Sequence, residues 1–255
     1  MKALVVGYGS IGKRRAKDLT ELGVEVVTTD PVTTELKDPL AAIREHAPGN
    51  LVVISSPSSE HTWQTMQAID AGALAILVEK PPAFNSGDWG LVMGLAEKRK
   101  IPVVVGFNYR FHPIAEYLRD TKPPSLAFLF ADDVLAWPSF GYIFDARYGG
   151  ILMISIIHSI DLALHILGLG RVVNAACVPM AALVEIQHAS GNTLIVGTWF
   201  GPPNSNVNLH TINPDESMHS RMMEAFVHLA ETGDYGHLCT AEQALSVMQI
   251  IDEAR

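Results

Sequence analysis

Gly7-Tyr8-Gly9-Ser10-Ile11-Gly12 is a GxGxxG turn, placed directly after the apolar run Ala3–Val6 and directly before a helix-like segment. Its first glycine permits the tight turn, the second lets backbone approach a diphosphate, and the third lets helix and strand pack closely. The amino end of the helix then offers unpaired N–H groups to the anion. Tyr8, Ser10 and Ile11 border the phosphates on this reading, together with the three glycines. Asp30 ends the second strand-like run, 23 positions after Gly7. A carboxylate there accepts hydrogen bonds from the adenine ribose hydroxyls and repels a 2′-phosphate, so NAD is expected in preference to NADP. Lys13, Arg14 and Arg15 follow the turn and read as a solvated helix face.

Three further motifs carry chemistry. Glu79-Lys80-Pro81 closes the run Ala75–Val78, at the sheet edge where open α/β sheets bind ligands. A lysine there can bond a substrate hydroxyl and stabilise a developing alkoxide. Gly106-Phe107-Asn108-Tyr109-Arg110-Phe111-His112-Pro113 ends the next strand, and Tyr148-Gly149-Gly150 precedes His158-Ser159-Ile160-Asp161-Leu162. The stretch Ile151–Leu169 approaches membrane-span length, yet it contains Ser155, His158, Asp161 and His165. Those groups are costly in lipid, so the segment reads as a buried helix with a polar face. His158, Asp161 and His165 share that face at metal-ligand spacing, but one helix seldom supplies a whole site, so no metal is expected. There is no GxSxG elbow to support hydrolysis.

Taken together, GYGSIG, EKP, GFNYRFHP and GG…HxxDL resemble the Gfo/Idh/MocA family, the glucose–fructose oxidoreductase and inositol dehydrogenase group. The likeness runs through most of residues 1–170 in the expected order. It implies an α/β protein with an N-terminal Rossmann domain, a doubly wound parallel sheet. A C-terminal α+β domain on an open, largely antiparallel sheet follows. It also implies NAD(P)-dependent oxidation or reduction of a sugar, cyclitol or related polyol. By that resemblance Lys80 is the active-site lysine, with Glu79 and Pro81 beside the nicotinamide. Ser56, Pro57 and His61 match the loop that borders the cofactor, and Asn108, Tyr109 and Arg110 match the substrate pocket. His158 matches the catalytic histidine, a role that suits imidazole because its pKa lies near operating pH. Asp161, one turn later, orients the substrate or the helix.

Many members carry an Asp four residues before that histidine, where this chain has Ile154. A second reading therefore stands beside the first: a catalytically idle, NAD-binding sensor or structural subunit of the same fold. Residues 200–218 show little strand pattern, so the second domain is expected to be shortened.

The elements that position these residues follow from periodicity. Apolar runs at Ala3–Val6, Val24–Thr28, Leu51–Ser55, Ala75–Val78 and Val103–Gly106 alternate with helical segments, including His61–Ala71 and Asp88–Lys100. That alternation argues for βαβ units over residues 1–122, the dinucleotide domain. The break Thr121-Lys122-Pro123-Pro124-Ser125 opens a second domain, 123–255, for substrate binding and oligomerisation. Strands are expected at Leu126–Phe130, Val172–Val178, Leu183–Gln187 and Leu194–Phe200. The last two flank the turn Ala189-Ser190-Gly191-Asn192. Helices span about Gly150–Leu167 and Met218–Glu231, and a last helix is capped by Thr240 with Gln243.

The formal charge is −9, and residues 123–255 carry only four arginines against thirteen acids, which disfavours nucleic acid. Two cysteines without zinc spacing, and an N-terminal apolar run that meets glycine early, point to a cytoplasmic protein with no membrane partner. Mean hydropathy of +0.21 points to a homodimer or homotetramer.

Overall fold

Strands without polar interruption form the centre of the first sheet, because both of their faces are covered. The computed structural model describes residues 1–121, 123, 125–132, 150–178, 181–191, 193–200, 215 and 217–255. The first half holds β1 (Lys2–Val6), α1 (Ser10–Glu21), β2 (Glu25–Thr29), α2 (Pro39–His46), β3 (Leu51–Ile54), α3 (Ser58–Asp70), β4 (Ala75–Val78), α4 (Ser86–Arg99) and β5 (Val103–Val105). A 3-10 turn (Asn108–Phe111) and α5 (Pro113–Thr121) follow. The second half holds β6 (Ser125–Asp132), a π-helical turn (Leu152–Ile156), α6 (Ile157–Leu167), β7 (Gly170–Val178), β8 (Ala181–His188) and β9 (Thr193–Phe200). It ends with α7 (Ser217–Thr232), β10 (Cys239–Thr240) and α8 (Ala241–Ala254).

The first sheet has the order β10-β5-β4-β3-β1-β2, with parallel pairing from β5 through β2. Leu4, Val5, Val6, Val52, Val53, Ile54, Ile76, Leu77 and Val78 are all fully buried. Each contributes roughly 1.5–3 kcal/mol by leaving water, so a charge at any of them would open the sheet. This is the Rossmann architecture that the alternation predicts.

The second sheet is mixed, with the order β6-β9-β8-β7. β7–β8 and β8–β9 are antiparallel, whereas β6 runs parallel to β9. α6 lies against it, and buried Ala182, Val184, Ile186 and Val196 face inward while Leu183 and Ile195 are exposed. Asn192 of the expected hairpin turn, Tyr148 and Gly149 of the YGG motif, and residues 201–214 lie outside the described residues.

Past residue 217 the chain returns to the first sheet, which the sequence reading does not anticipate. β10 pairs antiparallel with β5 as its outermost strand, and Trp89 of α4 donates from Nε1 to the Ala241 carbonyl at 2.8 Å. Met218, Met222, Met223, Phe226 and Leu229 of α7 share a core with Ala16 and Leu19 of α1. Thr240 and Gln243 form the expected capping box of α8. No described helix is long and apolar enough to cross a membrane.

Candidate functional site

The loops after the carboxyl ends of β1, β3, β4 and β5 converge on one edge of the first sheet. The GxGxxG turn occupies the first of them. Gly7 has φ +88°, and a Cβ on it would stand 2.5 Å from the Ser56 backbone nitrogen. A Cβ on Gly12 would stand 1.9 Å from the Gly7 carbonyl oxygen, so helix and strand close as tightly as only glycine allows. A Cβ on Gly9 would meet nothing within 4 Å, which leaves open space in front of the exposed start of α1, Ser10 and Ile11. That open space at a helix amino end fits a diphosphate. Asp30 accepts at 2.9 Å from the Tyr8 N–H through Oδ2, and from Val32 and Thr33 N–H through Oδ1. Partial burial pushes its pKa up, but these three donors outweigh it and hold the carboxylate at about 2. The carboxylate therefore tethers the turn to the loop after β2.

A cleft of about 440 Å³ opens beside this turn. Ile11, Ser55, Ser56, Ser58, His61, Glu79, Lys80, Pro81, Asn108 and Tyr109 line it from the first sheet. Ile154, His158 and His219 line it from the π-turn, α6 and α7. Lys80 and His158, 78 positions apart in the chain, thus share one cavity. Lys80 Nζ donates to the Ile154 carbonyl at 2.8 Å. The position where a carboxylate was expected supplies a backbone acceptor instead, from a π-turn, a feature frequent at functional sites. Phe107 and Tyr109 hold the His158 ring edge-on, with centroids 6.1 and 5.1 Å away. Burial, then the charge of Lys80, holds His158 well below the ordinary imidazole value, so the ring is neutral at pH 7. A neutral imidazole beside an ammonium can receive a proton from a bound hydroxyl.

His61 reaches two loops at once: Nδ1 lies 2.8 Å from the Pro81 carbonyl and Nε2 lies 2.8 Å from that of Ser56. Pro57 caps α3 just beyond. Glu79 turns inward and accepts from Arg15 Nε at 2.6 Å, while Gly106 leaves the space its carboxylate fills. Arg15 is 1% exposed, which corrects its assignment to a solvated face. Its position was legible, since it falls at helical spacing with the buried residues Gly12, Ala16 and Leu19.

Arg110 and Asp161, expected against the substrate, do not line the cleft. They are 2% and 0% exposed and bond each other through Nε and Nη2 at 2.6–3.1 Å. Arg110 Nη1 also donates to Gln243 Oε1 at 2.7 Å, so the pair ties the turn after β5 to α6 and α8. Asp161 is therefore not available to a metal with His158 and His165. Among the described residues no group of three His, Cys, Asp or Glu could hold one. His219 was missed altogether, because nothing near it in sequence marks it.

Burial is the leading cause that lowers the pKa of His61, His158, His165, His188 and His237, taking His165 to about 3. A folded-state pKa below the unfolded one favours the neutral ring in the fold. As pH falls through about 6.5, the unfolded chain takes up protons that the fold refuses, so stability falls. Each such ring can remove at most about 1.4 kcal/mol per pH unit. Thermal unfolding is expected to show Tm falling between pH 7 and pH 5; a flat profile would contradict these burials.

The first sheet and its glycine turn define a Rossmann-type architecture, with residues of the π-turn, α6 and α7 facing the cleft beside it. Residues 1–107 match the oxidoreductase family with an NAD-binding Rossmann fold, Gfo/Idh/MocA. That match covers the first 107 of the 255 residues and falls on the same stretch as the GYGSIG and EKP motifs. UDP-N-acetylglucosamine 3-dehydrogenase of Acidithiobacillus ferrooxidans is 24% identical over 194 residues, 72% of this chain; the aligned region spans 60% of that relative's length. Among solved structures, an oxidoreductase from Agrobacterium radiobacter, in complex with NAD+, L-tartaric acid and magnesium, superposes with TM-score 0.83. It is 14% identical, over 100% of this chain and 95% of that one. The WlbA (WbpB) dehydrogenase from Thermus thermophilus, in complex with NAD and alpha-ketoglutarate, gives 0.80 at 16% identity, over 98% and 93%.

Proposed function

We propose that the protein is an NAD-dependent oxidoreductase that transfers a hydride between nicotinamide and a carbinol or carbonyl carbon of a sugar, cyclitol or related polyol. The observation that carries this reading is the meeting of Lys80 and His158 in one cleft beside the glycine turn. NAD, when bound, supplies the hydride acceptor, nicotinamide C4. In the oxidation direction the substrate loses its C–H as hydride and its O–H proton to the His158 imidazole, which leaves a carbonyl. Lys80 donates to the reacting oxygen and stabilises the charge that develops there. Asn108 and Tyr109 orient the remaining hydroxyls. The names of similar proteins, a UDP-sugar dehydrogenase among them, support a sugar-like substrate. Calorimetry with NAD+ and NADH, followed by turnover across polyols, keto-sugars and nucleotide sugars, tests the reading. Tight cofactor binding with no turnover on any of them would favour the idle sensor, and no binding at all would overturn both.

Asp30 sharpens the cofactor preference. Asp30→Ala is expected to weaken NADH binding about tenfold, because the turn loses the acceptor that tethers Tyr8, Val32 and Thr33, and to narrow the NAD/NADP ratio. Asp30→Asn keeps acceptor capacity and should lose less. An unchanged NAD/NADP ratio in Asp30→Ala would remove the carboxylate from the ribose site. A homodimer or homotetramer joined through the face that exposes Leu183 and Ile195 completes the proposal, and light scattering at low concentration reads it.

A further inference from the structure

His219 stands in the first turn of α7 and lines the cleft that holds Lys80 and His158. Its Nδ1 lies 3.0 Å from Arg15 Nη1. A guanidinium has only donors, so this contact is a hydrogen bond only when Nδ1 is the bare, accepting nitrogen. The ring proton then sits on Nε2. Arg15 cannot swing away, because it is buried, pairs with Glu79 Oε1 at 2.6 Å and has the Asp18 carboxylate 3.8 Å from Nη1. Glu79 is confined in turn: a Cβ on Gly106 would stand 2.9 Å from its Oε2. A rigid line therefore runs from the EKP motif through Arg15 to His219.

On the far side of the ring, Nε2 lies 3.4 Å from the side-chain amide of Asn108. Two donors do not bond, so the amide is turned with its oxygen toward Nε2–H. The cleft wall then presents an uncharged imidazole N–H, held only loosely by the carboxamide oxygen at 3.4 Å and so open to sharing with a ligand oxygen, beside a carboxamide that keeps a lone pair and its own N–H donors. A hydroxyl, which both gives and takes a hydrogen bond, is the ligand such a pair recognises.

We propose that His219 contacts the substrate as a fixed Nε2–H donor to a hydroxyl next to the reacting carbon, and that Arg15 and Glu79 are positioning residues that set its tautomer. This rests on the oxidoreductase reading of the cleft and adds a specificity-determining residue to it. A neutral polyol is favoured over an anion, because Nδ1 cannot be protonated while Arg15 donates to it.

Two measurements test it separately. In the full-length protein labelled with 15N-histidine and free of added ligand, long-range proton–nitrogen correlation should show His219 as the neutral Nε2–H tautomer at neutral pH. His219→Gln identifies the signal by its loss, and Arg15→Lys should release the ring to titrate. A Nδ1–H tautomer, or ordinary titration with Arg15 in place, overturns the tautomer and the role built on it. With a substrate identified from the polyol panel, His219→Phe should raise KM about tenfold, the loss of one hydrogen bond, with NADH affinity held. His219→Gln, whose amide N–H replaces the donor, should recover most of it. Unchanged KM in His219→Phe overturns the substrate contact. Failure of NAD(H) to bind would remove the oxidoreductase reading and the substrate contact with it, while the tautomer result stands or falls by itself.

Discussion

Lys80→Met is expected to lower kcat by about 10²–10³-fold, the cost of removing one donor from a developing oxyanion, with NADH affinity almost unchanged. The split follows from geometry. The glycine turn is built from Gly7, Gly9, Gly12 and the Asp30 tether, on the β1–β2 side of the sheet, whereas Lys80 follows β4 and donates to the Ile154 carbonyl. Methionine keeps the length and apolar stem of lysine, so the wall of the cleft persists while the ammonium is lost. Lys80 is oriented by the Ile154 carbonyl, to which its Nζ donates at 2.8 Å. Stopped-flow kinetics and NADH fluorescence titration on the same preparations give the two numbers. Equal loss of turnover and cofactor affinity would place Lys80 in the cofactor site and not at the reacting carbon.

The parts of the site that were legible in sequence are those whose geometry is local. GYGSIG is a turn between a strand and a helix, EKP ends a strand, and the buried positions of β1, β3 and β4 are unbroken apolar runs; local rules suffice for all three. α2 also had a local signal, Asp38 accepting from Leu40 and Ala41 N–H with Pro39 at the first helical position, and reading it would have found the helix. The rest depends on partners far apart in the chain. Arg15 is buried because Glu79 lies 64 positions away in sequence and 2.6 Å away in space. A π-turn replaces the expected helix start at Leu152–Ile156, and it is the carbonyl of Ile154, invisible to any side-chain pattern, that meets Lys80. β6 pairs parallel with β9 across a long crossover, which hairpin signals do not encode. His219 reaches the cleft only because α7 folds back onto α1, a consequence of the Met222 and Phe226 face packing against Leu19.

Asp161 and Arg110 show how a polar residue inside a functional motif can be structural. Their carboxylate and guanidinium are 0% and 2% exposed and bond side-on, with Gln243 and the Leu238 carbonyl taking further donors of Arg110. Burial pushes the Asp161 carboxyl up and the guanidinium opposes it, so the pair is stable only as a pair. Asp161→Ala is expected to cost about 3–5 kcal/mol, because Arg110 keeps a charge in a site with no other carboxylate among its described hydrogen-bond partners. At about 2–4 °C per kcal/mol for a chain of this size, Tm should fall by roughly 6–20 °C. Replacing both, Arg110→Met with Asp161→Leu, removes the unpaired charge and should cost less than either single change, a coupling that a double-mutant cycle measures directly. A substrate-contacting pair would behave in the opposite way: each single variant would keep its Tm and raise KM. If Asp161→Ala unfolds at the wild-type temperature while substrate affinity collapses, the two residues belong to the pocket after all, and the cleft must extend beneath Tyr109 to reach them.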